Sequence, residues 1–382
     1  MPASSSASPS VPDLVDHVRL ACLPGIGSRL RKRLLERFGS PRAVFAASAT
    51  DLAAVDGVGR RLATEIPTLA VAPTAAEVIA LCRKEAVDIV VEGAAGYPPL
   101  LSRIDDPPGL LFVRGTVEPC DSLAVAIVGA RHATAYGLKL AEQLGGSLAR
   151  AGYTVVSGLA RGIDAAAHRG ALAAGGRTLA VLGSGVLNVY PPEHGDLARQ
   201  VIDAGAMISE LPPLAEPQPG TFPQRNRIVS GLSLGVVVVQ AAERSGALIT
   251  ARLAGEQGRE VFAVPGPVDC RVSRGCHRLL RDGAKLVESV DDVLEELGPL
   301  FETTTTAAGR TVHSPAELQL GEVERRVLEA CDALADAASG AATVDGIVDS
   351  SRLAASQVLA TIGALEMRRL IRRLPGGRIA RA

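Results

Sequence analysis

Ala124-Val125-Ala126-Ile127-Val128-Gly129-Ala130-Arg131, followed by Thr134-x-Tyr136-Gly137, is the stretch that decides how this chain reads. Five apolar residues run without a polar break, end on a glycine turn, and give way to a helical pattern. An unbroken apolar run of this length reads as a strand buried on both faces. The pattern recurs downstream, at Thr154–Val156, Thr178–Leu182, Met207–Ser209, Val236–Val239 and Val261–Val264. Helical stretches such as Tyr136–Ala151 and Ala247–Gln257 separate the runs. Apolar strands alternating with helices predict an α/β unit, a Rossmann-like, doubly wound and mostly parallel sheet.

Ligands of such sheets sit beyond the carboxyl ends of the strands, so the turns there carry the chemistry. After the first strand come Gly129 and Arg131. Glycine lets a ligand approach the backbone, a helix N-terminus offers free N–H groups to an anion, and arginine adds a charged fork. After the second come Ser157-Gly158-Leu159-Ala160-Arg161-Gly162-Ile163-Asp164 and His168. Ser157 and Gly158 read as an anion nest within reach of Arg161. Asp164 and His168 are spaced to share a helix face and a hydrogen bond, and a structural tether is favoured over acid–base machinery because no nucleophile stands nearby. Gly183-Ser184-Gly185 follows the third strand, and Arg225-Asn226-Arg227 and Ser245-Gly246 open later helices. Several helix starts with arginines converge on one edge, which points to a polyanion or nucleotide site. Dinucleotide binding lacks its signature: the motif is not Gly-x-Gly-x-x-Gly, and Ser157 stands where an acidic ribose clamp belongs.

Composition sets bounds. The chain has 382 residues and a formal net charge of -1, so two or three domains are expected and a uniformly basic binder is excluded. Of the 40 basic residues only Lys32, Lys84, Lys139 and Lys285 are lysines. Aromatics make up 3%, with no tryptophan, which weighs against a base-stacking platform and towards backbone gripping. The six cysteines form no Cys-x-x-Cys pair, so neither a metal nor another cofactor is expected. No run is long enough for a membrane span and no signal peptide is read, which predicts a cytoplasmic protein without membrane contact.

Residues 1–12 read as a disordered tail, 13–70 as a small helical domain, and 71–120 as a segment joining the core. The Rossmann-like domain is expected over 121–300, a linker over 301–318, and a winged helix over 319–382. Gly25-Ile26-Gly27 and Gly57-Val58-Gly59 resemble helix-hairpin-helix loops, whose amides hold phosphate; Gly25, Gly27 and Arg29 are the candidate contacts. A sterile-alpha-motif-like domain uses such glycines only as turns, and the sequence does not choose between the two. The last helix of the winged domain, about Ala354–Met367, is nearly uncharged on its outer face, with Gln357 its one good base reader.

Taken together, the motifs resemble the DNA-processing protein A (DprA, or Smf) family. The matching segments are 126–131, 157–168, 222–233, 245–251 and 256–266, within a resemblance running from about Tyr97 to Glu296. The resemblance implies a single-stranded DNA-binding mediator that protects incoming DNA and loads the RecA recombinase in natural transformation. It implies a homodimer and no catalytic activity. By motif position the implied contacts are Gly129, Arg131, Ser157, Gly158, Arg161, Gly162, Arg225 and Asn226. His194 and Gln240 depart from the family pattern and are not expected in the site. The alternative is a phosphoribohydrolase-like enzyme on a related scaffold. Its Pro-Gly-Gly-x-Gly-Thr turn is replaced here by Ser245-Gly246-Ala247-Leu248-Ile249-Thr250. A third reading, a transcription factor acting through the winged helix, rests on the last domain alone.

Overall fold

The computed structural model describes residues 11–68, 74–297, 304–305, 311–312, 317, 320–335, 341–367, 370–375 and 377–381. Most of the expected tail and linker lies outside these residues; a helix already begins at Val11.

Nine strands form the central sheet: β1 (Asp88–Val91), β2 (Leu110–Gly115), β3 (Ala124–Val128), β4 (Thr154–Ser157), β5 (Thr178–Val181), β6 (Ala206–Ser209), β7 (Gly235–Val238), β8 (Glu260–Ala263) and β9 (Lys285–Leu286). Their order is β1-β2-β6-β5-β4-β3-β7-β8-β9. From β6 to β9 every pairing is parallel. β1 and β2 add an antiparallel edge, so the segment expected to join the core supplies two strands of it. The chain runs outward from β3 to β6, then crosses back through helix Thr221–Gly231 to β7 on the other side of β3. The switch point therefore lies over the carboxyl end of β3, where a ligand crevice forms.

Alternation along β3 explains its apolar run. Ala124, Ala126 and Val128 face one buried layer, with Ile228 and Ala251 of the helices above. Val125 and Ile127 face the other, with Leu144, Leu148 and Ile163. Both faces are covered, so no position is left for a polar side chain.

The helical unit before the sheet packs around Leu20, Leu34, Leu52 and Ile66. Arg31, only 4% exposed, fastens it to the sheet domain. Its guanidinium donates to the Gly109 carbonyl at 2.9 Å and pairs with Glu92 at 3.4 Å. At the other end, helices Glu322–Leu334, Val344–Ser351 and Ala355–Met367 pack on a three-stranded sheet, around Val327, Ile347, Val358 and Ile379. This is the winged-helix arrangement.

Candidate nucleic-acid interface

A pocket of about 620 Å³ opens at the switch point, lined by Gly129, Arg131, Gly158, Asp164, Tyr190, Phe222, Arg225, Asn226, Ser245 and Gly246 among others. Five of the expected contacts thus meet: Gly129, Arg131, Gly158, Arg225 and Asn226. Arg131 is exposed, forms no ion pair among the described residues, and lies 5.2 Å from the Phe222 ring centroid. Phe222 meets Tyr190 at 5.7 Å between centroids, and Arg161 lies 5.9 Å from the Tyr190 ring. A row of guanidinium, two rings and guanidinium therefore borders the opening.

That row is the feature sequence reasoning missed. A low aromatic content weighed against stacking, yet two of the ten rings converge here. Tyr190 and Phe222 are far apart in sequence, and only the return of a loop and of the start of helix Thr221–Gly231 to the same strand ends unites them. Gly183, which follows the third expected strand, serves this contact: a Cβ there would stand 2.7 Å from the Phe222 ring.

Three expected contacts have other work. Ser157 is fully buried, and its hydroxyl donates to the Ile127 carbonyl at 2.6 Å, pinning β4 to β3. Its side chain is not available to a ligand. Gly162 lies outside the pocket lining and holds φ +78° and ψ −126° at the start of helix Ile163–Ala173. Arg161 stands at the rim, bound to Glu193 at 2.5 Å.

The expected anion nest is also occupied by the protein itself. The Gly158 amide donates to the Asp164 carboxylate at 3.2 Å. Asp164 therefore does not pair with His168, and the expected tether between them is absent. His168 instead meets the Thr178 hydroxyl at 2.7 Å, and that hydroxyl donates to the Val155 carbonyl. The imidazole must then donate through Nδ1, which leaves Nε2 buried without a partner among the described residues. Burial lowers its pKa to about 3, with Arg225 adding to the effect. His168 is a neutral core residue.

Arg225 forms the pocket floor. It donates to the Val181 carbonyl and lies so close over Gly158 that a Cβ there would stand 2.1 Å from its Nη1. Burial lowers its pKa to about 10, against the favourable charge of Asp164, so it stays charged at neutral pH. Burial raises the Asp164 pKa, and Arg225 with the Ala160 and Gly158 amides limits the rise. The Asn226 amide donates to the Gly246 carbonyl at 3.3 Å, tying two pocket walls together.

His194 and Gln240 are structural. His194 meets the Leu159 carbonyl at 2.9 Å. The Gln240 side chain accepts from the Thr134 amide and donates to its hydroxyl, capping helix Ala135–Arg150.

Gly27 and Arg29 do not reach this pocket. They line a separate cleft of about 690 Å³ between the helical unit and the sheet domain, where Arg29 lies 3.8 Å from Asp106. Gly25 shapes the hairpin turn behind it, with φ +84°. Among the described residues no group of three His, Cys, Asp or Glu is placed to hold a metal ion, and no helix is long and apolar enough to cross a membrane.

Residues 88–298 match the family model of DNA recombination-mediator protein A. The chain belongs to the DNA recombination-mediator protein A family. Residues 19–66 match a SAM-like helix-hairpin-helix tandem, and 312–377 match the DprA winged helix domain. The chain is 39% identical over 282 residues to protein Smf of Escherichia coli strain K12, covering 74% of each chain. It is 42% identical over 226 residues to DNA processing protein DprA of Bacillus subtilis strain 168, covering 59% of this chain and 76% of that one. The solved structure of DNA processing protein A from Streptococcus pneumoniae superposes with a TM-score of 0.62 at 35% identity, covering 73% of this chain and 95% of that one. A DprA family member thus carries its positively edged pocket at the switch point of the sheet.

Proposed function

We propose that this recombination mediator binds single-stranded DNA in the switch-point pocket, leaves it chemically intact, and hands it to the RecA recombinase in the cytoplasm. One observation carries the reading: the row Arg131–Phe222–Tyr190–Arg161 sets two ring faces between two phosphate grips along one opening. Guanidinium forks hold phosphates, and rings stack on bases of any sequence. Only an unpaired strand can present both at once, because a duplex keeps its base faces stacked internally. The contacts by this reading are Arg131, Arg161 and Asn226 above the floor that Arg225 charges, with Gly129 and Gly158 in the pocket lining and Gly158 leaving the room in which the Arg225 guanidinium lies. A homodimer, protection of incoming DNA and RecA loading during transformation are the further parts of the proposal, supported by family membership.

The outer face of helix Ala355–Met367 argues against sequence reading by the winged helix: the exposed residues include Ser356, Gln357, Leu359 and Ala360, all uncharged. The test is fluorescence anisotropy with a labelled oligothymidylate and a duplex of equal length. The single strand should bind at least tenfold more tightly. Equal affinity, or preference for the duplex, contradicts the proposal. RecA filament assembly on the same strand, with and without the protein, tests the hand-over; no acceleration removes that part.

A further inference from the structure

Arg161, one of the two guanidinium groups edging the pocket, is already engaged. Its Nε meets Glu193 Oε1 at 2.5 Å, while Arg131 forms no ion pair among the described residues. Glu193 follows Tyr190, whose ring faces Arg161, so the carboxylate lies on the loop that forms the aromatic wall. Both side chains are about half exposed, at 45% and 51%, and a ligand can reach either. The carboxylate of Glu193 has the charge and fork-matching shape of one phosphate edge.

We propose that Glu193 is a built-in competitor for the DNA strand, holding the place that a backbone phosphate takes on Arg161. The inference rests on the reading of the pocket as a single-strand site. A strand lying along the row displaces Glu193 and takes its guanidinium. A short ligand that reaches only Arg131 leaves the pair closed. Glu193 thereby lowers the affinity for strands long enough to touch both arginines and leaves shorter ligands unaffected. An exposed ion pair of this kind is worth a few-fold in an equilibrium, so the competition tunes binding without abolishing it.

The experiment compares the full-length wild type with Glu193→Gln, Arg161→Ala and the double variant, using labelled oligothymidylates long and short enough to reach both arginines or one. The Gln side chain keeps the size of Glu and the ability to accept a hydrogen bond. Glu193→Gln should bind the long strand about two- to fivefold more tightly, with the short strand unchanged. The gain should vanish in the Arg161→Ala background, and thermal melting should stay within a degree or two of wild type. Unchanged or weaker binding of the long strand overturns the proposal, as does a gain that survives removal of Arg161. If the wild type itself ignores oligothymidylate, the reading of the pocket fails. If the wild type binds and Glu193→Gln adds nothing, only the competitor role fails.

Discussion

Gly162 separates a structural from a ligand-contacting reading, because the sequence motif alone assigns it to the DNA. At φ +78° and ψ −126° it occupies backbone space closed to other residues. Forcing alanine there costs about 1–3 kcal/mol in backbone strain. The added Cβ would also stand 2.2 Å from the Ala130 carbonyl oxygen and 2.7 Å from that of Arg131. Both obstacles are main chain, so no side-chain rotation relieves them, and the loop after β3 has to move. Overpacking of this kind adds about 1–3 kcal/mol. The total, about 2–6 kcal/mol, corresponds to roughly 5–20 °C in melting temperature for a unit of this size. Gly162→Ala should therefore show a large drop in melting temperature by circular dichroism. The loop that moves carries Arg131, so oligonucleotide affinity should fall with it. Unchanged melting with lost affinity would refute the reasoning and place Gly162 among the DNA contacts.

Three further outcomes follow from the same geometry. Ser157→Ala removes one buried hydrogen bond and should cost about 1 kcal/mol in denaturant titrations, with oligonucleotide affinity unchanged; a tenfold loss of affinity contradicts the structural role. Arg31→Ala leaves the Gly109 carbonyl and Glu92 without their donor. It should speed proteolytic release of the helical unit while the sheet domain melts as before; an unchanged digestion rate counts against the latch. Acid should destabilise the sheet domain through His168. Unfolded, it takes a proton near pH 6.5, whereas the native residue waits until about 3. Between these values the unfolded state binds more protons, so stability falls as pH falls, by about 5 kcal/mol over the whole window. Denaturant titrations at pH 7, 5 and 4 should show the slope flattened in His168→Gln; equal slopes contradict it.

The central strands were legible because burial on both faces leaves a continuous apolar signal. Ala124–Val128 reads from sequence as it stands in the structure, and the other five runs shift by one residue at their ends. β1 and β2 escaped because their short runs, Ile89–Val91 and Leu110–Val113, lie among turn residues such as Pro107-Pro108-Gly109 that dominate the local pattern. β9 has two residues and no periodicity to detect. The pocket was legible as a place, since glycines and arginines mark strand ends. The work of each residue was not. Ser157, Gly158 and Gly162 satisfy strand pairing, close packing and a forbidden dihedral, and those needs select the same small residues as a phosphate site does. Asp164 and His168 have the spacing of a helical pair, but each finds a better partner off the helix, which no spacing rule foresees. Tyr190 and Phe222 required the topology itself.

The most direct test of backbone gripping is the salt dependence of oligothymidylate binding, measured for the wild type and Arg131→Ala. Removing one phosphate contact from a single strand should reduce the slope of log affinity against log salt by about 0.7. The affinity loss should be the same for thymidylate, adenylate and cytidylate strands. An unaltered slope, or a loss confined to one base, would contradict the account.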